Sequence, residues 1–469
     1  MFDATVQVLV VGAGACGSAA ALAAADAGAQ VLVIEQDAVP QGTTSMSQGL
    51  VCAAGTAMQR AHGIDDDAER FYADIMAKTR GLTDPVLART IVQTAGPMLE
   101  HLVSRHGLPF ELDVRFRAAY GHSRARVHGW PGHGGSDLLQ WMHARLAASG
   151  VDVLTEARMT EVMADTDGST VGTARGIEIQ RPDGARERIG CHALVLAAGG
   201  FAANAAMVKH YIPEATLARC NGHEGNRGDA IVQGTKLGGA LADMGAYQGY
   251  AMLADPQGIT VPPGVLVEGG VLVNTTGSRF VDESLDISGM MHAVMAQPGG
   301  VAWVVFDAGI EQRCAYIPES WQLTELNAVR RGDDAAALAQ SMKLDDESAA
   351  GRLAAAIADA HRSQGAGRPD ACGRYWGDDV PPQGPLRAIK VSAALYHTQG
   401  GLQIDGAARV LRADGSALPN VFAGGGSARG VSGPASWGYL PAMGLCAALT
   451  LGTLAGNGAA ALAARLAAR

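Results

Sequence analysis

Apolar and polar positions near the beginning of the chain follow a strand–helix–strand pattern. Residues 8–11 and 31–34 form short continuous apolar runs, which are typical of strands buried on both faces. The alanine-rich stretch that ends at Gly28 predicts an apolar helix between them. Because such strands lie side by side in a parallel sheet covered by helices, the pattern predicts an α/β fold.

The same reasoning predicts further elements along the chain. Apolar spacing of three and four indicates helices, and short apolar runs or alternation around a turn indicate strands. The predicted elements are helices at 66–79, 86–105 and 136–149, a strand at 151–155, a hairpin at 171–190, a buried strand at 193–201, and a closing helix at 441–456.

A change of composition divides the chain. Residues 246–392 hold more Trp, Tyr and Pro than the flanking segments, together with mixed helices and short strands. From residue 393 onward the composition is again glycine-rich, as in the first part of the chain. We therefore expect one α/β domain built from residues 1–245 and 393–469, interrupted by an α+β domain over 246–392.

Composition and charge narrow the classes of partner. The net charge is −10 without a basic run, which disfavours nucleic acid and anionic membranes. The seven cysteines form no C-x-x-C pair, so we expect no metal site and no disulfide framework. We also expect no signal peptide, because the first strand starts within a few residues of the N-terminus, and no membrane span, because no uninterrupted apolar run is long enough. These expectations favour a cytoplasmic location.

The glycines between the first strand and helix carry the first chemical signal. Gly12, Gly14 and Gly17 have the G-x-G-x-x-G spacing, in which the glycines make the tight turn, admit a pyrophosphate and let helix and strand pack closely. The helix N-terminus then points N–H groups and a positive dipole end at the phosphates. Glu35 ends the second strand, where a ribose hydroxyl is held. The unit predicts dinucleotide binding.

Later motifs extend this prediction over nearly the whole chain. They are Leu194 to Phe201, Gly228-Asp229, Gly277 to Glu283, His397-Thr-Gln-Gly-Gly401 and Phe422 to Gly426. With the opening fingerprint, they resemble the fumarate reductase/succinate dehydrogenase flavoprotein family, including its 3-ketosteroid dehydrogenase branch. The resemblance implies a Rossmann-like FAD-binding domain, with a central parallel sheet and a small β-sheet, and an inserted capping domain. The substrate is expected between the flavin ring and the cap.

The resemblance also implies which residues bind FAD. They are Gly12, Ala13, Gly14, Ala15, Gly17, Glu35, Gln36, Thr43, Thr44, Ser45, Gln48, Gly49, Ala197, Ala198, Gly199, Asn226, Asp229, His397, Gly425, Ala442, Met443 and Leu445. Thr43 stands where covalent members carry the histidine that bonds to the flavin, so we expect non-covalent FAD.

Departures from the family pattern bear on the substrate. The arginine that donates a proton in fumarate-reducing members falls on Ile287, and the arginine that holds the substrate carboxylate falls on Tyr439. A tyrosine at the second position resembles the ketosteroid dehydrogenase branch, in which it holds a ketone. Tyr396, beside the T-Q-G-G run, resembles the members of that branch that act on 4,5-bonds.

The leading hypothesis is an FAD-dependent enzyme that acts on the C–C bond α,β to the carbonyl of a steroid-like or smaller cyclic ketone. Tyr439 would hold the ketone, and Tyr396, His397 or a cap tyrosine, Tyr250 foremost, would move the proton. Tyr247 and Tyr316 are further cap candidates.

Two alternatives stay open. An unsaturated carboxylic acid could be held by Arg429, and FAD could serve an isomerase or hydratase without net redox change. The sequence predicts a small-molecule substrate. It does not identify the external electron acceptor, which could be a soluble acceptor, a partner protein, a quinone or oxygen.

Overall fold

The computed structural model describes residues 2–165, 172–344, 346, 348–377 and 379–468. Within them the strands, in chain order, are β1 (Ala4–Val11), β2 (Val31–Ile34), β3 (Leu50–Cys52), β4 (Glu111–Leu112), β5 (Val127–Gly129), β6 (Asp152–Leu154), β7 (Arg158–Ala164), β8 (Ala174–Gln180), β9 (Arg186–Leu196), β10 (Arg219–Cys220), β11 (Leu241–Ala242), β12 (Tyr247–Ala254), β13 (Val271–Val273), β14 (Val301–Asp307), β15 (Val329–Gly332), β16 (Leu386–Thr398), β17 (Gly401–Leu402), β18 (Arg409–Leu411) and β19 (Ala417–Ala423).

The helices alternate with these strands. They are α1 (Ala15–Asp26), α2 (Gly42–Ser45), α3 (Ala57–Ala61), α4 (Ala68–Lys78), α5 (Pro85–His106), α6 (Gly135–Ala148), α7 (Ala205–Tyr211), α8 (Asp229–Lys236), α9 (Gly264–Val267), α10 (Met290–Met295), α11 (Ala308–Cys314), α12 (Pro318–Glu325), α13 (Ala335–Met342), α14 (Ala349–Ser363) and α15 (Met443–Ala467), with 3₁₀ turns at Pro213–Ala215, Pro298–Gly300, Gly425–Ser427 and Ser436–Gly438.

The larger sheet confirms the predicted α/β fold. Its order is β18-β19-β9-β1-β2-β6, and the neighbours from β19 to β6 pair in parallel. The strands β7, β8 and β9 continue it as an antiparallel meander, so the hairpin predicted around Pro182 and Gly184 is confirmed, although residue 171 lies outside the described residues. The carboxyl ends of β1, β2 and β9 meet at one edge, where ligands of open α/β sheets bind.

A second sheet is built around β16. The strands β10, β12, β14 and β15 all pair with it, and β13 extends the sheet beyond β14. A separate apolar core, with Trp376 and Leu353 buried in it, packs on this sheet with α13 and α14. The strand β16 runs without interruption across the predicted boundary at residue 392. The division into 1–245, 246–392 and 393–469 stays a prediction.

The closing helix α15 is longer than predicted and lies in the core. It packs against α1 through small residues, because a Cβ at Gly452 would lie 2.2 Å from the Cys16 carbonyl oxygen and one at Gly456 2.1 Å from that of Ala20. By length and composition alone it could cross a membrane, contrary to our expectation that no apolar run is long enough. Within its most apolar stretch, 56% of the residues are buried in the protein, as in the core helix of a globular domain.

Candidate active site in a cleft between the two sheets

One cleft joins most of the residues that the sequence singled out. It has a volume of about 310 Å³ and follows the carboxyl ends of the parallel strands toward the second sheet. We call its two ends the fingerprint end and the capped end. The fingerprint end is lined by Gly12, Gly14, Ala15, Glu35, Gln36, Ala157, Arg158 and Met159. The capped end is lined by Phe116, Gln248, Tyr250, Thr260, Pro263, Ile287, Glu319, Tyr396, His397, Tyr439 and Pro441.

The three glycines of the G-x-G-x-x-G fingerprint have different structural roles. Gly12 has φ +104°, and a Cβ there would lie 2.4 Å from the Ala197 carbonyl oxygen on the neighbouring strand. A Cβ at Gly17 would lie 1.8 Å from the Gly12 carbonyl oxygen, so this glycine lets α1 pack on the turn. Gly14 has room, since the nearest atom to a Cβ there is the Thr44 hydroxyl oxygen at 3.4 Å. Its backbone therefore stays open toward the cleft.

The carboxylate of Glu35 closes this end. Its Oε2 accepts a hydrogen bond from the Ala13 N–H at 2.9 Å, and its Oε1 accepts one from the Asp37 N–H at 3.1 Å. These bonds fix the carboxylate at the end of β2 while it lines the cleft. This is the position that the sequence analysis predicted for a group that holds a ribose.

The hydroxylated loop after β2 is pinned to the fingerprint. The Ala15 N–H donates to Thr44 Oγ1 at 3.0 Å, and Asn226 Nδ2 donates to Thr43 Oγ1 at 2.6 Å. A Cβ at Gly199 would lie 2.1 Å from Asn226 Oδ1. Residues from three distant segments therefore form one polar cradle around the middle of the cleft.

Most of the predicted cofactor-binding residues line this cleft. They are Gly12, Gly14, Ala15, Glu35, Gln36, Thr43, Thr44, Gln48, Ala197, Ala198, Gly199, Asn226, Asp229, His397, Gly425, Ala442 and Leu445.

Five predicted cofactor-binding residues stand behind the lining. Ala13 is fully buried, and Gly17 serves the packing of α1. Ser45 Oγ donates to the Gly42 carbonyl, and Gly49 packs on the backbone at residue 134. Met443 is buried in the first turn of α15.

Tyr439 lies at the capped end, immediately before α15. Ala442, with φ +63°, turns the chain into the helix, so the first N–H groups of α15 face the tyrosine. Burial raises the pKa of the Tyr439 phenol, while hydrogen bonding by the N–H groups of Gly444 and Ala442 acts in the opposite direction. A hydroxyl so placed is a hydrogen-bond donor at neutral pH, and the helix dipole favours negative charge beside it.

His397 stands next to this tyrosine. The two rings are edge to face, with centroids 5.9 Å apart and an interplanar angle of 76°. Burial lowers the pKa of His397 to about 4, so its imidazole is neutral at neutral pH. A Cβ at Gly444 would lie 3.1 Å from His397 Nε2, which shows how closely the ring meets the start of α15.

Tyr250 and Tyr396 form the opposite wall. Their rings stack with centroids 5.2 Å apart. The Tyr250 hydroxyl donates to the Val261 carbonyl oxygen at 2.6 Å, and the Tyr396 hydroxyl is hydrogen-bonded to Thr260 Oγ1 at 2.5 Å. Burial raises the pKa of both phenols. These two residues line the cleft, and both hydroxyls are already hydrogen-bonded to the protein.

The structure places Arg429 elsewhere. Its guanidinium donates to Asp243 Oδ2 at 2.7 and 3.0 Å and to Asp84 Oδ2 at 3.0 Å, and it does not line the cleft. This geometry does not favour the alternative in which Arg429 holds a substrate carboxylate, because two carboxylates already neutralise its charge, and that alternative stays a prediction. Arg429 braces the loop before α15.

The other cap tyrosines are also outside the lining. Tyr247 is hydrogen-bonded to His292 Nε2 at 3.0 Å, and Tyr316 donates to Asp113 Oδ2 at 3.3 Å. Ile287, at the position of the family's proton-donating arginine, does line the cleft and is buried.

Sequence reasoning missed several lining residues. Arg158 and Met159 open β7 at the fingerprint end, and Phe116 and Glu319 stand at the capped end. No motif marks them, because each reaches the cleft through the packing of a distant segment.

Comparisons with known proteins agree with this geometry. The model of the FAD binding domain family matches residues 7–438. The chain belongs to this family. It is an FAD-dependent oxidoreductase with relatives among the fumarate reductase flavoproteins. The probable fumarate reductase Ifc3 of Shewanella frigidimarina is 28% identical over 465 residues, covering 97% of this chain and 75% of the relative. The urocanate reductase of Eggerthella lenta is 28% identical over 471 residues, covering 98% and 75%.

Solved structures give the same architecture. The open conformation of a flavocytochrome c3 fumarate reductase superposes with a TM-score of 0.80 at 26% identity, covering 98% of this chain and 79% of that one. A 3-ketosteroid-Δ4-(5α)-dehydrogenase from Rhodococcus jostii RHA1 superposes with a TM-score of 0.75 at 24% identity, covering 98% of each chain. The second likeness concerns the fold alone.

The residues present fit FAD. Glu35 stands where a ribose is held, Gly14 leaves its backbone open to a pyrophosphate, and the cradle of Thr43, Thr44 and Asn226 offers hydroxyl and amide groups beyond it. The lining then continues through Ala442, at the start of α15, to residues of the capped end.

Proposed function

We propose that this FAD-dependent oxidoreductase acts on the C–C bond α,β to a ketone, in a steroid-like or smaller cyclic substrate. One observation carries the proposal: among the described residues that line the capped end, none is lysine or arginine. A substrate carboxylate would lose its hydration there without a cation, which costs several kcal/mol. A ketone needs only hydrogen-bond donors.

Tyr439 supplies the donor in this mechanism. When bound, FAD supplies hydride exchange with the substrate carbon β to the carbonyl. The Tyr439 hydroxyl donates to the ketone oxygen, and the first turn of α15 adds its positive dipole end as enolate charge develops. One such donor is worth about 3 kcal/mol of barrier. The neutral ring of His397 packs edge-on against Tyr439 and fixes its orientation.

The proposal departs from the substrates that the relatives' names give. Fumarate and urocanate are carboxylates, and the family's two arginine positions hold Ile287 and Tyr439 in this chain. Both residues line the capped end, and Arg429 is neutralised away from it. The site therefore supports a neutral carbonyl compound better than an anion.

An anaerobic substrate panel tests the proposal. Dithionite-reduced enzyme is mixed with 2-cyclohexenone, 4-androstene-3,17-dione, fumarate and urocanate, and flavin reoxidation is followed by absorbance. We expect reoxidation by an enone and a rate lower by about 10²-fold in Tyr439→Phe. Faster reoxidation by fumarate or urocanate overturns the proposal. A substrate that changes while the flavin never changes oxidation state supports the isomerase or hydratase alternative.

We further propose that FAD is bound without a covalent bond. Thr43, at the position of the family's flavin-linked histidine, is engaged with Asn226 through its hydroxyl. Acid precipitation is expected to leave all the yellow colour in the supernatant. Flavin that stays with the precipitated chain contradicts this.

A further inference from the structure

The capped end contains one carboxyl group among its described lining residues, that of Glu319. It belongs to the first turn of α12, in the cap. Its Oε1 accepts a hydrogen bond from Gln48 Nε2 at 3.4 Å, whereas its Oε2 is buried and has no hydrogen-bond partner among the described residues. A carboxyl group with so few donors favours its protonated form. Burial accordingly raises the pKa of Glu319.

The phenol hydroxyls at this end already have hydrogen-bond partners or a proposed role. The Tyr250 hydroxyl donates a hydrogen bond to the Val261 carbonyl oxygen, and the Tyr396 hydroxyl is hydrogen-bonded to Thr260. Tyr439 faces the N–H groups of α15 and is the ketone donor of the proposed function. Unlike these tyrosines, Glu319 has a carboxyl oxygen without a hydrogen-bond partner among the described residues, so its proton is free to be exchanged with a substrate.

A buried hydrogen-bonded pair, His133 with Asp113, lies near Glu319. His133 Nε2 is 2.7 Å from Asp113 Oδ2, and its Nδ1 is buried without a partner among the described residues. The backbone of His133 has φ +60°, a strained conformation for a residue with a side chain. Positive charge on His133 lowers the pKa of Glu319, opposing the effect of burial.

Aromatic rings hold this pair against the cap. The ring of Tyr316, one turn before Glu319, packs edge-on to His133 with centroids 5.3 Å apart. The guanidinium carbon of Arg115 lies 3.5 Å from the centre of the Tyr316 ring. Tyr250 and Tyr396 also interact electrostatically with Glu319.

We propose that Glu319 is the catalytic acid–base residue that exchanges a proton with the substrate carbon next to the carbonyl. This rests on the proposed function. In the direction of reduction, the Glu319 O–H bond breaks, its electron pair stays on the carboxylate, and the enolate's electron pair forms the new C–H bond at the α-carbon. In the direction of oxidation, the carboxylate takes that proton. His133 and Asp113 are positioning residues, because their hydrogen-bonded pair packs against the Tyr316 ring, three residues before Glu319.

Single-turnover kinetics on the holoenzyme test the assignment. Glu319→Gln keeps the shape and removes the acid, and Glu325→Gln is the matched control on the exposed end of the same helix. We expect reoxidation of the reduced flavin by 2-cyclohexenone to slow at least about 10²-fold in E319Q and to stay unchanged in E325Q. Glu319→Asp is expected to recover part of the rate. Reoxidation by ferricyanide, which needs no proton on carbon, is expected to be equal in all variants.

Infrared spectroscopy gives a readout that does not depend on turnover. The wild type is expected to show the carbonyl band of a protonated carboxyl group that E319Q lacks and E325Q retains. An E319Q variant that keeps the enone rate, or loses the ferricyanide rate equally, overturns the assignment. A wild type that reduces no enone overturns both proposals, so the two failures are distinguishable.

Discussion

The two ends of the cleft are built on different principles. At the fingerprint end, backbone atoms of one strand–turn–helix unit define the shape, and Gly12 and Gly17 exclude side chains from it. At the capped end, side chains from separate segments converge, among them Tyr439, His397, Tyr396 and Glu319. A site made of backbone tolerates the loss of side chains but not the addition of atoms. A site made of side chains behaves in the opposite way.

The largest effect is expected from adding one methyl group to the fingerprint. Gly17→Ala places a Cβ 1.8 Å from the Gly12 carbonyl oxygen, so we expect little folded protein. Gly14→Ala meets only the Thr44 hydroxyl at 3.4 Å and is expected to keep the apoprotein's stability while weakening FAD binding more than tenfold. Thermal melting of apoprotein and flavin titration check both. Equal stability losses would mean that Gly14 also serves packing.

Acidification is expected to destabilise the capped end. Burial lowers the pKa of both His397 and His122 to about 4, and His122 donates to the Pro441 carbonyl oxygen at 3.0 Å. The pKa of each histidine is lower in the folded than in the unfolded protein. The contribution of the neutral histidines to the free energy of unfolding is therefore fully present above about pH 6.5 and is lost as the pH falls toward 4. Each histidine contributes about 3 kcal/mol to this loss.

Urea unfolding of the holoenzyme between pH 7 and 4 measures the effect. His122→Asn is expected to flatten the pH profile, whereas His62→Asn, at an exposed position, is expected to leave it unchanged. Identical profiles for the wild type and H122N would show that His122 is not the titrating group.

Arg429→Ala tests whether the brace before α15 is structural. Removing the guanidinium leaves Asp84 and Asp243 unpaired in a largely buried place, and we expect a loss of about 3 kcal/mol in unfolding free energy. The exposed pair of Arg409 with Asp405 is the control, and R409A is expected to cost less than about 1 kcal/mol. Turnover of enones by folded R429A should stay near the wild-type rate. If folded R429A turns over no substrate at all, the alternative in which Arg429 binds the substrate is supported instead.

The smallest effect is expected from Arg158→Ala at the fingerprint end. Arg158 pairs with Asp229 at 3.0 Å in a half-exposed position, where an ion pair contributes about 0–1 kcal/mol. If the backbone holds the cofactor, flavin titration should show less than a tenfold loss of affinity in R158A. A larger loss would show that a side chain carries the binding there.

The fingerprint end could be read from the sequence because its causes are local. The spacing of Gly12, Gly14 and Gly17 and the acid at residue 35 define one contiguous unit, and the structure has that unit in the predicted register. Tyr439, Tyr396 and His397 were also found at the capped end, through the family resemblance. The length of α15 was underestimated, because its small residues pack on α1 and carry no capping signal.

Only the tertiary structure decided what completes the capped end. The sequence offered Arg429 as a ligand of a substrate carboxylate, but its two partners, Asp84 and Asp243, come from segments that no local pattern connects to it. Glu319 lies on a short cap helix without a motif, and burial raises the pKa of its carboxyl group, which favours the protonated form. The sequence by itself determined the fold, the cofactor and the backbone that holds it, because short-range sterics act there. Charge and proton chemistry depend on which distant groups share a desolvated space, and packing alone establishes that.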